Sequence, residues 1–229
     1  MNIRALIFDV FGTLVDWRSG VARELRTYLR VSMDEADALA DAWRDEYQPA
    51  MEEVRAGRIA FCKLDALHRR NLGIVLDRFG HEADEPTRRN LTLAWHRLDA
   101  WPDVTPALAR LRERYLLAPC SNGNISLMAD LARRNRWHWD AILGAEHARD
   151  YKPKPEVYLA ACDAFDCTPH EVLMVAAHSS DLEAAARAGL RTAHIARPNE
   201  HGPGRGESAP LVAVHLSAAD LSALTDQLE

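Results

Sequence analysis

From residue 116 onward the chain alternates short apolar runs with helix-forming segments, and that alternation restricts the fold more than any other feature. The run Leu116-Leu117-Ala118-Pro119-Cys120 reads as a strand, and Ser121-Asn122-Gly123-Asn124 opens a helix over 125–134. A strand is expected at 141–145, then a helix over 155–165 with proline in its first turn. Residues 172–176 read as a strand, 181–188 as a helix closed by Gly189, and 192–195 as a further strand. Ser217 is expected to cap the last helix. Parallel neighbours need crossover connections, and helices supply them, so the pattern implies an α/β fold with a doubly wound parallel sheet.

One block breaks the alternation. An apolar strand, Ile3-Arg4-Ala5-Leu6-Ile7-Phe8, ends at Asp9, and Val10-Phe11-Gly12-Thr13 follows as a turn. From about 19 to 98 the chain is then almost entirely helix-forming, with Trp43, Tyr47, Met51 and Leu64, Leu67, His68, Leu72 at three- and four-residue spacing. The expected organisation is a core domain of residues 1–15 plus 100–229, with 16–99 inserted as a helical cap over the strand ends and a cleft between the two. Residues 198–210, which hold Glu200-His201-Gly202-Pro203-Gly204-Arg205-Gly206, form a long loop without a regular pattern. Such loops are either functional or mobile, and the sequence leaves both readings open.

Composition excludes several classes. No apolar stretch approaches a membrane span and the amino terminus enters a strand directly, so a soluble, cytoplasmic protein without a membrane partner is expected. A formal charge of -6 argues against nucleic acid as a partner. It also means that an anionic substrate must be held by particular arginines and lysines. Cys62, Cys120, Cys162 and Cys167 lack metal-ligand spacing and read as reduced thiols.

Asp9 stands where open α/β sheets gather reactive groups, at the carboxyl end of a buried strand, although an Asp there can also simply cap the next helix. Three further clusters follow at strand ends: Ser121-Asn122, then Lys152, then His178 with Asp181. In that order they resemble the four motifs of the haloacid dehalogenase superfamily: a nucleophilic Asp, a Ser or Thr, a Lys and an acidic residue. The resemblance spans nearly the whole chain. It is closest to the L-2-haloacid dehalogenases, which carry a helical lid after the first motif and segments like Trp43-Arg44, Ser121-Asn122-Gly123 and Tyr151-Lys152-Pro153.

Most superfamily members are magnesium-dependent phosphatases with a second Asp two residues after the nucleophile. That position is Phe11, which can neither donate nor accept a proton, and too few oxygens are expected to converge for a hard cation. No metal or other cofactor is expected. The resemblance implies that Asp9 attacks C2 of a short (S)-2-haloalkanoic acid and forms an ester, that halide leaves, and that water then cleaves the ester. Lys152 would hold Asp9 ionised, and Asp181 would be the base for water unless it only caps the helix after it. Arg44 would bind the halide, with Asn122 and the ring edge of Phe61 beside it. Ser121 and the backbone N–H groups of the first turn, around Val10 and Phe11 and with Thr13 beside them, would hold the substrate carboxylate. Tyr158 resembles a site tyrosine of the family, though its helical spacing equally suits the core.

The chain departs from the family where Ala176 and His178 replace Ser and Asn. His178 could orient water, assist Asp181 or narrow the pocket, and a narrower halide pocket suggests acceptance of fluoroacetate. Trp95, Trp101, Trp137 and Trp139 read as packing residues, and His96, His147 and His194 are unassigned. The competing readings are a phosphatase of the same fold using magnesium, and a non-catalytic descendant that binds a small acid or a protein. Homodimers are common in the family, but no patch in the sequence marks an interface.

Overall fold

The computed structural model describes residues 2–229. Its sheet comprises β1 (Ala5–Phe8), β2 (Leu116–Ser121), β3 (Leu143–Gly144), β4 (Val172–Ala176), β5 (Arg191–Ile195) and β6 (Leu216–Ala218). All neighbours are parallel, in the spatial order 3-2-1-4-5-6. Both faces are covered, which is why the central strands read as unbroken apolar runs. Leu6 and Phe8 point to one face with Leu117, Leu173 and Val175, while Ala5 and Ile7 point to the other with Ala118, Val172 and Met174. That is the two-residue period of a strand.

The chain leaves β1 for β2 on one side and later reaches β4 on the other, so the strand order reverses at β1. Open sheets bind ligands at that switch point, beyond the carboxyl ends of the strands. The register sets Phe8 beside Pro119 and Val175, which brings Asp9 level with the ends of β2 and β4.

Between β1 and β2 run α1 (Trp17–Leu29), α2 (Met33–Asp45), α3 (Tyr47–Arg55), α4 (Leu64–Phe79), α5 (Glu85–Thr92) and a 3-10 turn, Leu93–Arg97. Asp16 starts α1 by accepting from the Ser19 amide, and Ser32 starts α2 through the Glu35 amide. One apolar cluster runs from these helices into the sheet. Trp95 lies at its aromatic centre, stacked on His68 with centroids 4.3 Å apart and edge-on to Phe11 and Trp43 at 5.6 Å. Phe11, in the turn after the first strand, is therefore an anchor for the helical layer.

The remaining helices are α6 (Val104–Leu111), α7 (Ile125–Asn135), α8 (Ala145–Ala148), α9 (Pro155–Ala164), α10 (Ser179–Arg187) and α11 (Leu221–Leu228). Three local expectations need correction. The strand expected at 141–145 pairs only over Leu143–Gly144, because Ala145 already begins α8. Ser217 does not cap the last helix: it lies in β6, and Asp220 accepts from the Ala223 amide instead. Helix α10 starts at Ser179, earlier than the spacing of its apolar residues suggested, because the Glu207 carboxylate accepts from the Ser179 amide at 3.1 Å.

That carboxylate comes from the long loop, which is folded tightly. The Arg197 amide donates to the Glu207 carbonyl at 2.9 Å, and the Gly206 amide donates to the Pro198 carbonyl at 2.9 Å. A Cβ on Gly206 would lie 2.0 Å from the Arg197 carbonyl oxygen, so only glycine permits the closure. Arg197 forks onto Asp103 at 3.0 and 2.7 Å and donates through Nε to the Thr13 carbonyl at 2.9 Å. Among the described residues no helix is long and apolar enough to cross a membrane.

Candidate active site

Asp9 follows a strand with no exposed residue and is itself only 7% exposed. Its Oδ1 accepts from Lys152 Nζ at 2.9 Å, and its Oδ2 accepts from Thr13 Oγ1 at 2.8 Å and from His178 Nδ1 at 3.1 Å. Thr13 can donate to Asp9 because its hydroxyl already accepts from the Ala177 amide at 3.0 Å. Burial opposes ionisation of Asp9, but the Lys152 charge and the bonds from His178 outweigh it and hold the carboxyl well below the usual range. Asp9 is an ionised, oriented carboxylate at a cleft wall.

Lys152 is fixed through its backbone as well as its ammonium. Its amide donates to Asn122 Oδ1 at 2.8 Å, and its carbonyl accepts from Arg55 of α3 at 2.8 Å. The ammonium bridges Asp9 and Asp181, whose other oxygen accepts from the Tyr158 hydroxyl. Burial and the nearby Asp9 charge raise Asp181 even though Lys152 pulls it down. A carboxylate so raised suits a proton acceptor better than an ordinary surface Asp does. Asp181 lies inside the first turn of α10 rather than at its cap, and its side chain bonds Lys152 and Tyr158.

His178 stands between two carboxylates. Its Nδ1 meets Asp9, and its Nε2 meets Glu200 Oε2 at 2.8 Å. A ring flanked on both nitrogens by acceptors can satisfy both only as imidazolium. Burial works against that charge, yet the two bonds prevail and raise His178 to about 10. Glu200 is the residue that sequence reasoning missed. It lies in the loop over 198–210, where no local pattern points to a site, and a density of glycines was the only sign that the backbone approaches something closely.

Asp9, Lys152, His178 and Asp181 share a cleft of about 760 Å³ with Phe11, Arg44 and Asn122. The Arg44 guanidinium lies 4.1 Å from the Tyr47 ring centroid and 5.4 Å from that of Trp17, and one of its terminal nitrogens is buried with no hydrogen-bond acceptor among the described residues. An unmatched buried donor costs on the order of 1–3 kcal/mol, more when charged, so the position suits an anion. Farther out the wall carries Gln48, Glu52, Arg55, Lys154 and Arg187.

The side chains of the other expected contacts do not line this cleft. Val10, Thr13, Ser121 and Tyr158 are fully buried. Ser121 Oγ accepts from the Gly123 amide at 3.0 Å, and Asn124, not Ser121, holds the cap position of α7. Phe61 is not on the cleft wall; its ring lies 5.4 Å from that of Tyr151, with Arg149 over it at 4.7 Å.

An ionised aspartate at a switch point, a lysine bridging two carboxylates and a helical layer inserted after the first strand fit a hydrolase of one class. The chain belongs to the haloacid dehalogenase-like hydrolase family, whose sequence profile matches residues 3–189. It is 30% identical to (S)-2-haloacid dehalogenase 4A of Burkholderia cepacia over 217 residues, 92% of this chain and 89% of that one. The crystal structure of a defluorinating L-2-haloacid dehalogenase superposes with a TM-score of 0.95 at 42% identity, covering 99% of this chain and 95% of that chain. A second L-2-haloacid dehalogenase structure gives a TM-score of 0.94 at 44% identity, covering 99% and 100%.

Proposed function

We propose that the chain hydrolyses the carbon–halogen bond of short (S)-2-haloalkanoic acids, haloacetates and 2-halopropionates, without a cofactor. The observation that carries this reading is an ionised Asp9 sharing a cleft with a buried Arg44 N–H that has no acceptor. Nucleophile and anion seat are what displacement at carbon needs. Asp9 Oδ1, which accepts only from Lys152, attacks C2 from the side opposite the halogen. The C–X pair leaves with halide toward Arg44 and Asn122, and the configuration at C2 inverts. Alignment supplies the largest share of such a displacement, roughly 7–11 kcal/mol when the reacting atoms are held in near-attack geometry. Water then attacks Asp9 Cγ with Asp181 as base, and the hydroxy acid departs carrying the former Asp9 Oδ1.

The magnesium chemistry of many superfamily phosphatases does not fit these side chains. Phe11 takes the place of the second acid, and cationic Lys152 and His178 both bond Asp9, so a divalent ion meets repulsion where it needs oxygens. Among the described residues no cluster of three His, Cys, Asp or Glu side chains has a metal-binding arrangement. The close likeness to a defluorinating enzyme and the aromatic packing around Arg44 support including fluoroacetate among the substrates.

The test is halide release from fluoro-, chloro- and bromoacetate and from both 2-chloropropionate enantiomers, with EDTA present. Turnover of the (S) enantiomer to the (R)-hydroxy acid is expected, insensitive to EDTA. Hydrolysis of p-nitrophenyl phosphate that requires magnesium, with no halide released, would reverse the conclusion.

A further inference from the structure

The Asp9–His178–Glu200 chain is not explained by attack on carbon. Asp9 already has Lys152 and Thr13, and a second cation on a carboxylate makes it a weaker nucleophile. The arrangement makes sense one step later. In the ester, Oδ1 belongs to the substrate and Oδ2 has become a carbonyl oxygen. When water attacks Cγ, the C=O pair moves onto Oδ2, and the donors facing that oxygen are Thr13 Oγ1 and His178 Nδ1. We infer that the His178 imidazolium is the charged donor for the oxyanion formed as water attacks the Asp9 ester, and that Glu200 is the positioning residue that keeps it charged and aimed. The inference rests on the dehalogenase reading and deepens its second step.

Esterification creates the need for Glu200. While Asp9 is a carboxylate, it holds the proton on the partly buried His178. Once alkylated it carries no charge, and the ring loses one of its two anionic partners. Glu200 remains, 2% exposed, accepting from His178 Nε2 at 2.8 Å. Its other oxygen accepts from Trp17 Nε1 at 2.9 Å, which fixes the carboxylate plane. The nucleophile turn is shaped around it: a Cβ on Gly12, which has φ +83°, would lie 2.0 Å from Glu200 Oε1. The other charged or titratable groups bearing on this pair are Arg44 from α2, His194 from β5 and His201 from the loop itself. His194 and His201 are both lowered, chiefly by burial, so neither competes as the cation.

The atoms balance. Water loses a proton to Asp181, its oxygen bonds Cγ, and the π pair rests on Oδ2 between Thr13 and His178. The pair returns, the Cγ–O bond to the substrate breaks, and the departing alkoxide takes the proton from Asp181; water's other hydrogen stays on the re-formed Asp9 carboxyl and passes to solvent as that carboxyl ionises again. His178 gives up no proton in the cycle.

The test separates the two steps in Glu200→Gln, His178→Asn and the double variant, by stopped-flow halide release and by mass spectrometry of acid-quenched protein. E200Q is expected to keep a halide burst within about tenfold of the parent rate, to accumulate the Asp9 ester, and to turn over roughly 10²-fold more slowly. Its turnover should also fall as pH rises through the ordinary histidine range near 6.5, where the parent stays flat because Glu200 keeps the ring charged after Asp9 is esterified. H178N should accumulate ester without that pH limb, and the double variant should match H178N. Equal slowing of burst and turnover in E200Q, absence of the pH limb, or additive losses in the double variant overturn the inference while leaving the dehalogenase reading intact. A parent protein that releases no halide overturns both.

Discussion

Replacing Lys152 with methionine removes the one ammonium between two buried carboxylates, at close to equal side-chain volume. The three side chains are 6%, 11% and 10% exposed for Lys152, Asp9 and Asp181. Taking one member from a buried ion pair costs about 3–5 kcal/mol, because the partner charge is left uncompensated. The strain can be relieved by a proton, and His178 still faces Asp9, so Asp181 is the group that takes it. In the parent, burial and Asp9 already raise Asp181 while Lys152 restrains it. Without Lys152 the folded value rises further above the unfolded one. A group raised in the folded state lends stability below its unfolded pKa and loses it as pH climbs through the folded pKa. The variant should therefore lose stability relative to the parent by up to ~1.4 kcal/mol per pH unit across the interval between the two folded values. Urea unfolding followed by tryptophan fluorescence from about pH 5 to about pH 8 measures this directly. Halide release should fall at least roughly 10²-fold over the same range. A stability gap that does not change with pH, or near-parental halide release, would refute the assignment of Lys152 as the cation that keeps both carboxylates ionised.

Arg44→Gln keeps a donor but loses the charge, and kcat/KM for chloroacetate should fall by roughly 10- to 100-fold, as expected for a charged hydrogen bond of ~1.5–3 kcal/mol; bromide inhibition should weaken in parallel, and unchanged inhibition would place the anion seat elsewhere. His96 links Asp65 of α4 at 3.1 Å to Asp130 of α7 at 2.8 Å. Burial opposes its charge but those two bonds raise its pKa, so its stabilisation is complete below about 6.5 and lost as pH rises through the folded value. His96→Asn should cost ~1–2 kcal/mol at low pH and less at high pH in urea titrations, and a cost that grows with pH would contradict the link. Gly206→Ala should open the loop over 198–210, lower stability by ~1–3 kcal/mol and slow turnover; a variant with parental stability and turnover would show that the loop closure does not hold Glu200 in place.

The alternation of apolar runs and helices determined the parallel sheet before any contact was known, because a strand covered on both faces must be apolar throughout and parallel strands must be joined by crossovers. The same logic placed Asp9 and Asn122 just beyond strand ends, although Lys152 follows α8 and Asp181 lies in the first turn of α10, and the absence of strands between 19 and 98 pointed to the inserted helical layer. These are properties of neighbouring residues, and local periodicity records them. Glu200 could not be found that way. It stands 22 residues beyond His178, and its role depends on glycine at position 12, an indole on α1 and a loop closed by Gly206 and Arg197. The extent of β3, the start of α10 at Ser179 and the position of Phe61 behind the cleft were likewise decided by distant partners. Backbone pattern follows from the order of side chains along the chain, whereas the charge on a partly buried histidine follows from which carboxylates the fold brings within 3.1 Å of its ring, and only the packed chain specifies that.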